Sequence, residues 1–486
     1  MKILVLDVGT SSMRGILYNC GGTKLLEEAS PYCAKYLPGG QVQQEVAEWE
    51  NAMWQILRSA AERAKANGWT IDAVSMTAQR SSVIAADEKM HPLQPAIMWQ
   101  DKRTTEICSR LEQENEWVFS RCGSRINPVF AASKMTWIRE NQPGIYKRTH
   151  KFLVISDYLL YLLTGECKTD YTYGSRTLLM DLRNRRWDDQ LLELFAVERE
   201  KLCELTEPGT IFGVLTKDAA ERTGLFPGTP VISAGGDQQC GAIGQGVFSK
   251  GRTSITAGTG GYIITASDGV PSNLAADITC NCSSLPNQYI LEAGMLTCCS
   301  AFDWFRRNFC KDWDIEKISA AVEEVPPGAE GLICLPLFSG RGNPDWNNAA
   351  RGVFGNVSLN HEKRHFLRAL LEGVCYEFAN GLGVIRRYVK VADVALNGGL
   401  SNSRVFDQML CDVLGIPVVK RGGADATALG ALIVAAHALD PSCEPEQIFN
   451  EVHKKSVIAR FEPDDKNEKI YREGLLRMND WYQKIY

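Results

Sequence analysis

Asp7-Val8-Gly9-Thr10-Ser11-Ser12-Met13-Arg14 gathers an acid, a glycine, a run of hydroxyls and a cation into one short segment. Gly9 permits a tight turn, and Thr10, Ser11 and Ser12 place donors beside backbone N–H groups. Arg14 can neutralise a phosphate, and Asp7, at the end of a β-rich run, can hold a metal through water. A plain polar hairpin turn accounts for the same residues without chemistry. Gly258-Thr259-Gly260-Gly261 repeats the theme further along the chain.

Ser233-Ala234-Gly235-Gly236-Asp237-Gln238-Gln239 follows the β-run Pro230 to Ile232 and leads into a short helix. That order leaves the Asp237 carboxylate at the carboxyl end of a strand, where open α/β sheets bind ligands. Phosphoryl transfer needs such a carboxylate to orient a hydroxyl and take its proton, because the rest is positioning and charge neutralisation. A helix-capping aspartate is the alternative. Asn397-Gly398-Gly399-Leu400-Ser401-Asn402-Ser403 offers flat glycines for a purine ring and Asn402 for its edge. Gly422-Gly423-Ala424-Asp425-Ala426-Thr427-Ala428-Leu429-Gly430 supplies small residues for close helix packing. Gln79-Arg80-Ser81-Ser82 and Met98-Trp99-Gln100-Asp101 suit a polyol: Trp99 for its carbon skeleton, Gln79 and Arg80 for its hydroxyls. A core tryptophan beside a surface arginine is the competing explanation there.

The elements that must carry these groups alternate between strand and helix. Ile3 to Asp7 and Gly15 to Tyr18 flank the first turn, and Thr253 to Ala257 and Tyr262 to Thr265 flank the second. Two copies of a strand–turn–strand unit predict a duplicated architecture. The boundary falls near Gly244 to Gly251, a glycine-rich stretch suited to hinge rotation. Asp72 to Thr77 and Ala96 to Trp99 read as strands, Thr104 to Gln113 and Val154 to Leu163 as helices. Phe366 to Tyr388 reads as a long helix and Val394 to Leu396 as a strand. Arg404 to Leu414 reads as a helix capped by Asn402 or Ser403 and ended by Gly415. The tail from Pro441 reads as amphipathic helix. The pattern is that of an α/β protein.

At 486 residues the chain is long enough for two domains, and its net charge of −5 lacks the basic stripe of a nucleic-acid binder. No run of apolar residues reaches the length of a membrane span, and Asp7 interrupts the apolar N-terminus too early for a signal-peptide core. A cytoplasmic protein is expected, with neither nucleic acid nor membrane as partner. The 16 cysteines include no Cys-x-x-Cys pair, and of the 6 histidines only His361 and His365 lie close together. Reduced, mostly buried thiols are expected rather than a structural metal.

Taken together, these segments resemble the FGGY carbohydrate kinases, the group that includes glycerol kinases, xylulokinases, ribulokinases and gluconokinases. Asp7 to Ser12, Gly236 to Gln239, Gly258 to Gly260 and Gly398 to Ser401 stand in the family's order and spacing. Lys134-Met135-Thr136-Trp137-Ile138 looks like the first family signature. Gly352-Val353-Phe354 through His365 to Glu372 looks like the second. Ala131 and Asn356 depart from them, Asn356 taking a place commonly held by glycine.

The resemblance implies two actin-like, ribonuclease-H-like domains, 1–245 for a sugar or polyol and 246–486 for ATP. It implies Mg²⁺ near Asp7 and Asp237 as catalytic base. It puts Thr10, Ser11, Ser12, Arg14, Gly258, Thr259 and Gly260 by the phosphates, and Gly398, Gly399 and Asn402 by the adenosine. Gln79, Arg80, Ser81 and Trp99 would join Asp237 around the acceptor, and a homodimer is allowed. Glycerol kinases carry Glu where this chain has Ser81 and Tyr where it has Val129. Xylulokinases carry Met-His where it has Arg80-Ser81, so neither subfamily pattern fits. A ketopentose such as xylulose, another polyol or an aldonate is the expected acceptor. Glycerol phosphorylation, an actin- or chaperone-like ATPase and a silent sugar sensor are the alternatives.

Overall fold

Lys2-Ile3-Leu4-Val5-Leu6-Asp7-Val8 is apolar on both faces because both faces are covered. The computed structural model describes residues 1–421, 425–454 and 456–486, so Gly422, Gly423 and Ala424 of the small-residue segment lie outside the described residues. In strand β1 (Lys2–Val8), Leu4, Leu6 and Val8 share a core cluster with Trp49, Met53 and Leu57 of helix α1 (Val46–Ala66). Ile3 and Val5 pack instead with Ala428 and Leu432, from a helix encoded near the other end of the chain. A strand buried on both sides loses the polar alternation of a half-solvated one.

Beside β1 lie β2 (Ser12–Asn19), β3 (Lys24–Pro31), β4 (Ala73–Ala78), β5 (Thr210–Val214) and β6 (Pro230–Gly236). The order across this six-stranded sheet is β5-β6-β4-β1-β2-β3. β1, β2 and β3 form an antiparallel meander, while β4 and β6 run parallel to β1. The second sheet contains β7 (Thr253–Ala257), β8 (Gly261–Ser267), β9 (Thr279–Cys282), β10 (Tyr289–Met295), β11 (Val394–Asn397), β12 (Val418–Arg421) and β13 (Val457–Phe461). Its order is β9-β10-β8-β7-β11-β12-β13, again a meander through β7 with β11 and β12 parallel to it. The fold is therefore the expected pair of ribonuclease-H-like α/β units.

Other helices include α2 (Ile155–Thr164), α3 (Asp237–Gly244), α4 (Cys299–Phe309), α5 (Lys363–Ile385), α6 (Arg404–Leu414), α7 (Ala426–Leu439) and α8 (Asp465–Ile485). Ser403 is the cap of α6, its Oγ accepting from the Phe406 N–H at 3.4 Å, and Gly415 ends it with φ of 64°. Two expectations need correction. The tail is not helical throughout, because β13 lies between Pro445–Val452 and α8 and closes the edge of the second sheet against β12. The strand expected over Ala96 to Trp99 is only Ala96–Ile97: the Met98 N–H still reaches the Val42 carbonyl, but Asp101 takes both the Val42 N–H, on its carboxylate, and the Met98 carbonyl, with its own N–H.

The glycine-rich stretch after α3 is packed tightly. A Cβ on Gly244 would sit 1.9 Å from the Ala426 carbonyl oxygen, and one on Gly430 would sit 1.8 Å from that of Cys240. Helices α3 and α7 thus cross in backbone contact, and α7 then covers the first sheet. All 16 cysteines are free, and most are buried. Among the described residues, no helix is long and apolar enough to cross a membrane.

Candidate active site

The carboxyl ends of β1, β4 and β6 meet at one corner. Gly235 turns it with φ of 91°, where a Cβ would lie 2.6 Å from Ser284 Oγ. Its carbonyl accepts from Thr77 Oγ1 at 2.8 Å and from the Tyr173 hydroxyl at 3.0 Å. The Gly236 N–H donates to Thr172 Oγ1 at 3.0 Å, and Thr172 and Ser233 both donate to buried Asp170. This lattice fixes the first residue of α3, Asp237. Asp237 does not cap the helix from outside; Gly236 holds the cap position.

The Asp237 side chain keeps 28% of its exposure because it faces open space. Its Oδ1 accepts from the Gln238 N–H at 2.7 Å and lies 3.7 Å from Arg80 Nε. Among the described residues Oδ2 has no hydrogen-bond donor. Burial pushes the carboxyl above its ordinary range, and the Arg80 charge opposes that shift.

A cavity of about 450 Å³ opens on Asp237 and is lined by Thr10, Gln79, Arg80, Trp99, Val129, Arg176, Gln238 and Tyr262. The structure thus brings Gln79, Arg80, Trp99 and Asp237 together. Trp99 is set by its indole N–H on Thr10 Oγ1 at 3.2 Å and by its backbone N–H on Ser82 Oγ at 3.0 Å. Gln79 donates to the Gly9 carbonyl at 3.2 Å. Ser81 is different: it does not line this cavity. It adopts φ of 68° and turns a buried hydroxyl onto the Arg176 carbonyl at 3.5 Å, so its part is to shape the bend that aims Arg80.

The other wall of Asp237 faces a second cavity, of about 1130 Å³, reaching Asn397, Gly398, Gly399, Asn402, Lys420 and Arg421. Gly399 and Asn402 also border a third, largely apolar space of about 910 Å³, with Phe302, Ile318, Val322 and Phe406 on its sides. The Gly258-Thr259-Gly260 turn is pinned from behind by the start of α4, with the Cys298 N–H on the Thr259 carbonyl at 3.0 Å and the Cys299 N–H on the Gly258 carbonyl at 2.8 Å. Thr259 is exposed. Gly398, at φ of 101°, lies so close that a Cβ would meet the Ala257 oxygen at 2.4 Å. On the opposite turn, Arg14 bonds Asp7 at 2.7 Å and Asp425 at 2.6 Å. Ser11 is exposed, and Ser12 begins β2.

Sequence reasoning missed Arg176 and Glu292. Glu292 sits in buried β10 and bridges Arg80, at 3.0 Å, to Arg176, at 3.4 Å. Burial alone would raise its pKa, yet the two guanidinium charges hold it below the usual carboxylate range. Burial and the nearby Arg80 charge bring Arg176 down to about 10. A lone acid in Tyr289-Ile290-Leu291-Glu292-Ala293 was the available signal, because a charge in a buried strand requires a partner. Lys134, in the first signature, is fully buried and donates to the carbonyls of Pro128, Val129 and Phe130 at 2.7, 2.9 and 3.2 Å. Burial takes its ammonium down to about 7.

Comparison with known proteins identifies the family. The N-terminal domain of the FGGY family of carbohydrate kinases matches residues 2–244, and the C-terminal domain matches residues 253–439. A glycerol kinase of Thermococcus onnurineus (strain NA1) is 30% identical over 501 residues, covering 99% of this chain and 99% of that protein. A xylulose kinase of Bacillus subtilis (strain 168) is 27% identical over 490 residues, covering 100% and 97%. Among solved structures, a ligand-bound xylulose kinase from Lactobacillus acidophilus superposes with a TM-score of 0.94 at 21% identity, covering 100% of this chain and 98% of that one. Plasmodium falciparum glycerol kinase with ADP gives 0.90 at 24% identity, covering 98% of each. The chain belongs to the FGGY family of carbohydrate kinases.

Proposed function

We propose that this kinase transfers the γ-phosphoryl group of ATP to a hydroxyl of a small sugar or polyol, with Asp237 receiving the hydroxyl proton. The observation that carries this reading is that Asp237 and Gln238 line both the smaller cavity and the large one beside Gly398 and Gly399. One carboxylate therefore stands on the border between a smaller space and a larger one. Residues 1–245 are read as the acceptor lobe and 246–486 as the ATP lobe.

The acceptor hydroxyl donates to Asp237 Oδ2 as its oxygen forms the bond to phosphorus and the bond to the ADP oxygen breaks. A carboxylate is a weak base, so most of its value lies in orientation. Trp99 faces the carbon skeleton, and Gln79 and Arg80 bind hydroxyls. The amides of the Gly9-Thr10-Ser11-Ser12 and Gly258-Thr259-Gly260 turns face the transferring group from the two sides. The apolar space beyond Gly399 and Asn402 suits a purine. Approach of the lobes excludes water that would otherwise take the phosphoryl group.

Asp7 is the carboxylate that would hold Mg²⁺. One of its oxygens accepts from Arg14, and the other has no hydrogen-bond donor among the described residues. One available carboxylate oxygen fits Mg²⁺, which keeps its waters and takes one or two carboxylates plus phosphate oxygens. When bound, the ion offsets phosphate charge.

A coupled ADP-release screen over ketopentoses, tetritols, glycerol, aldonates and deoxy sugars tests the proposal. ADP release stimulated by one class, with a matching phosphorylated product, is the expected result. If no acceptor raises ADP release above basal hydrolysis, the ATP-driven conformational alternative replaces it.

A further inference from the structure

We propose that Arg176 reads a second, acceptor-only oxygen of the substrate, a ketose carbonyl or an aldonate carboxylate, while Asp237 takes the reacting hydroxyl. The inference deepens the phosphotransferase reading above and rests on it.

Arg176 follows the short helix Tyr171–Gly174 and lines the same cavity as Asp237, Arg80 and Trp99. Its side chain is only 9% exposed. A guanidinium carries five N–H donors. The one side-chain hydrogen bond Arg176 makes among the described residues is a long one, from Nη1 to Glu292 Oε1 at 3.4 Å. Its Nη2 makes no hydrogen bond among the described residues, and its sealed Nε has no partner either. Native proteins seldom leave a buried guanidinium so poorly paired, and an acceptor from a ligand in the cavity would meet the Nη2 donors.

The fork is held rigidly enough to recognise one. Its guanidinium lies 4.6 Å from the centre of the Phe130 ring, which fixes its plane. The Phe130 backbone is in turn tied to the Lys134 ammonium at 3.2 Å. Ser81 Oγ holds the Arg176 carbonyl.

Charge points the same way. Glu292, arriving from the opposite sheet, is shared between Arg80 and Arg176. The second negative charge of the cluster is Asp237. When Asp237 receives the hydroxyl proton, two guanidinium groups face one remaining carboxylate, and a substrate oxygen rich in electron density offsets the excess. Arginine has no acceptor, so it suits a hydroxyl only where an acid stands beside it, as Asp237 does beside Arg80; Arg176 serves a carbonyl or carboxylate better.

The test sets xylulose and gluconate against xylitol and glucitol, the alditols of matching carbon chain, measuring kcat and KM separately. We expect wild-type kcat/KM for the ketose or the aldonate to exceed that of its alditol by at least about tenfold, the scale of one hydrogen bond to a charged group. Arg176→Met should raise KM for the preferred compound and collapse that ratio, with the KM for ATP unmoved. Arg176→Lys distinguishes the two oxygens: a point charge rescues recognition of a carboxylate better than of a ketone. A wild type that uses the alditols as well as their oxidised partners overturns the proposal even if no variant folds. A ratio that survives in folded Arg176→Met removes Arg176 from the role, leaving it a lobe-tying group for Glu292. Turnover of none of the compounds screened overturns the phosphotransferase reading and this inference with it.

Discussion

The two turns facing the cleft share a scaffold and differ in chemistry. In the first lobe, Asp7 stands opposite Arg14 across the β1–β2 pair; in the second, Thr256 stands opposite Tyr262 across β7–β8. The first turn is thus anchored by side chains: the Tyr32 hydroxyl and Gln79 amide on the Gly9 carbonyl, Trp99 on Thr10, Arg14 between Asp7 and Asp425. The second is anchored mainly by backbone: the first amides of α4 on Gly258 and Thr259, helped by the Ser300 hydroxyl on the Thr259 carbonyl, and Gly398 pressed against Ala257. Both lobes keep the hairpin, and the charged pair stands on the first alone. A turn tied by side chains tolerates backbone change better than one tied by backbone contact.

That contrast yields experiments, the largest effect first. Asp237→Asn keeps the corner and removes the proton acceptor, so turnover should fall by at least about a hundredfold while ATP still binds. Single-turnover kinetics with a nucleotide-binding titration checks this, and near-normal turnover would remove Asp237 from the mechanism.

Next come the glycines. Gly398→Ala forces a side chain into φ of 101° and onto the Ala257 oxygen. A strain of about 1–3 kcal/mol should appear chiefly as a raised KM for ATP. Gly9→Ala meets the Ser12 oxygen at 3.1 Å without positive φ, and its effect should be smaller. Equal effects at the two sites would erase the distinction between the turns.

The acceptor wall gives a pH test. The Lys134 ammonium titrates near its ordinary 10.5 when unfolded and at about 7 in the fold. Between those values the unfolded chain binds the extra proton, so stability should rise as pH rises from 7 towards 10.5. Urea unfolding at several pH values should show that slope in the wild type and a shallower one in Lys134→Met. Equal slopes would mean that the three carbonyls keep the ammonium charged.

The smallest effect belongs to the rim. Lys24 is 41% exposed and pairs with Glu27 and Asp425. Lys24→Ala should cost less than about 1 kcal/mol and fade with salt, as read from Tm at low and high ionic strength. A larger loss would mark the Lys24–Asp425 pair as a stronger tie between distant parts of the chain.

The departures from the family signatures also gain physical content. Asn356, where glycine is common, adopts φ of 59° and turns its amide onto the Gly331 carbonyl at 2.9 Å. Asparagine is among the few side chains that tolerate this region. Ser81 does the same at 68° in the bend before the acceptor cavity.

The sequence alone determined what short-range backbone chemistry determines. Two strand–turn–strand units, the Gly235-Gly236-Asp237 corner and a helix α6 capped at Asn402 or Ser403 and ended by Gly415 all follow from glycine conformations, capping donors and apolar runs within a few residues. The tertiary structure decided what depends on partners distant in the chain. It laid α7 over the first sheet, joined Glu292 to Arg80 and Arg176 across the lobes, and paired β13 with β12. It also turned the Ser81 hydroxyl away from the cavity. Each of these is set by closure of long loops and by a partner's burial, and no local spacing encodes where a buried charge will find its counterpart.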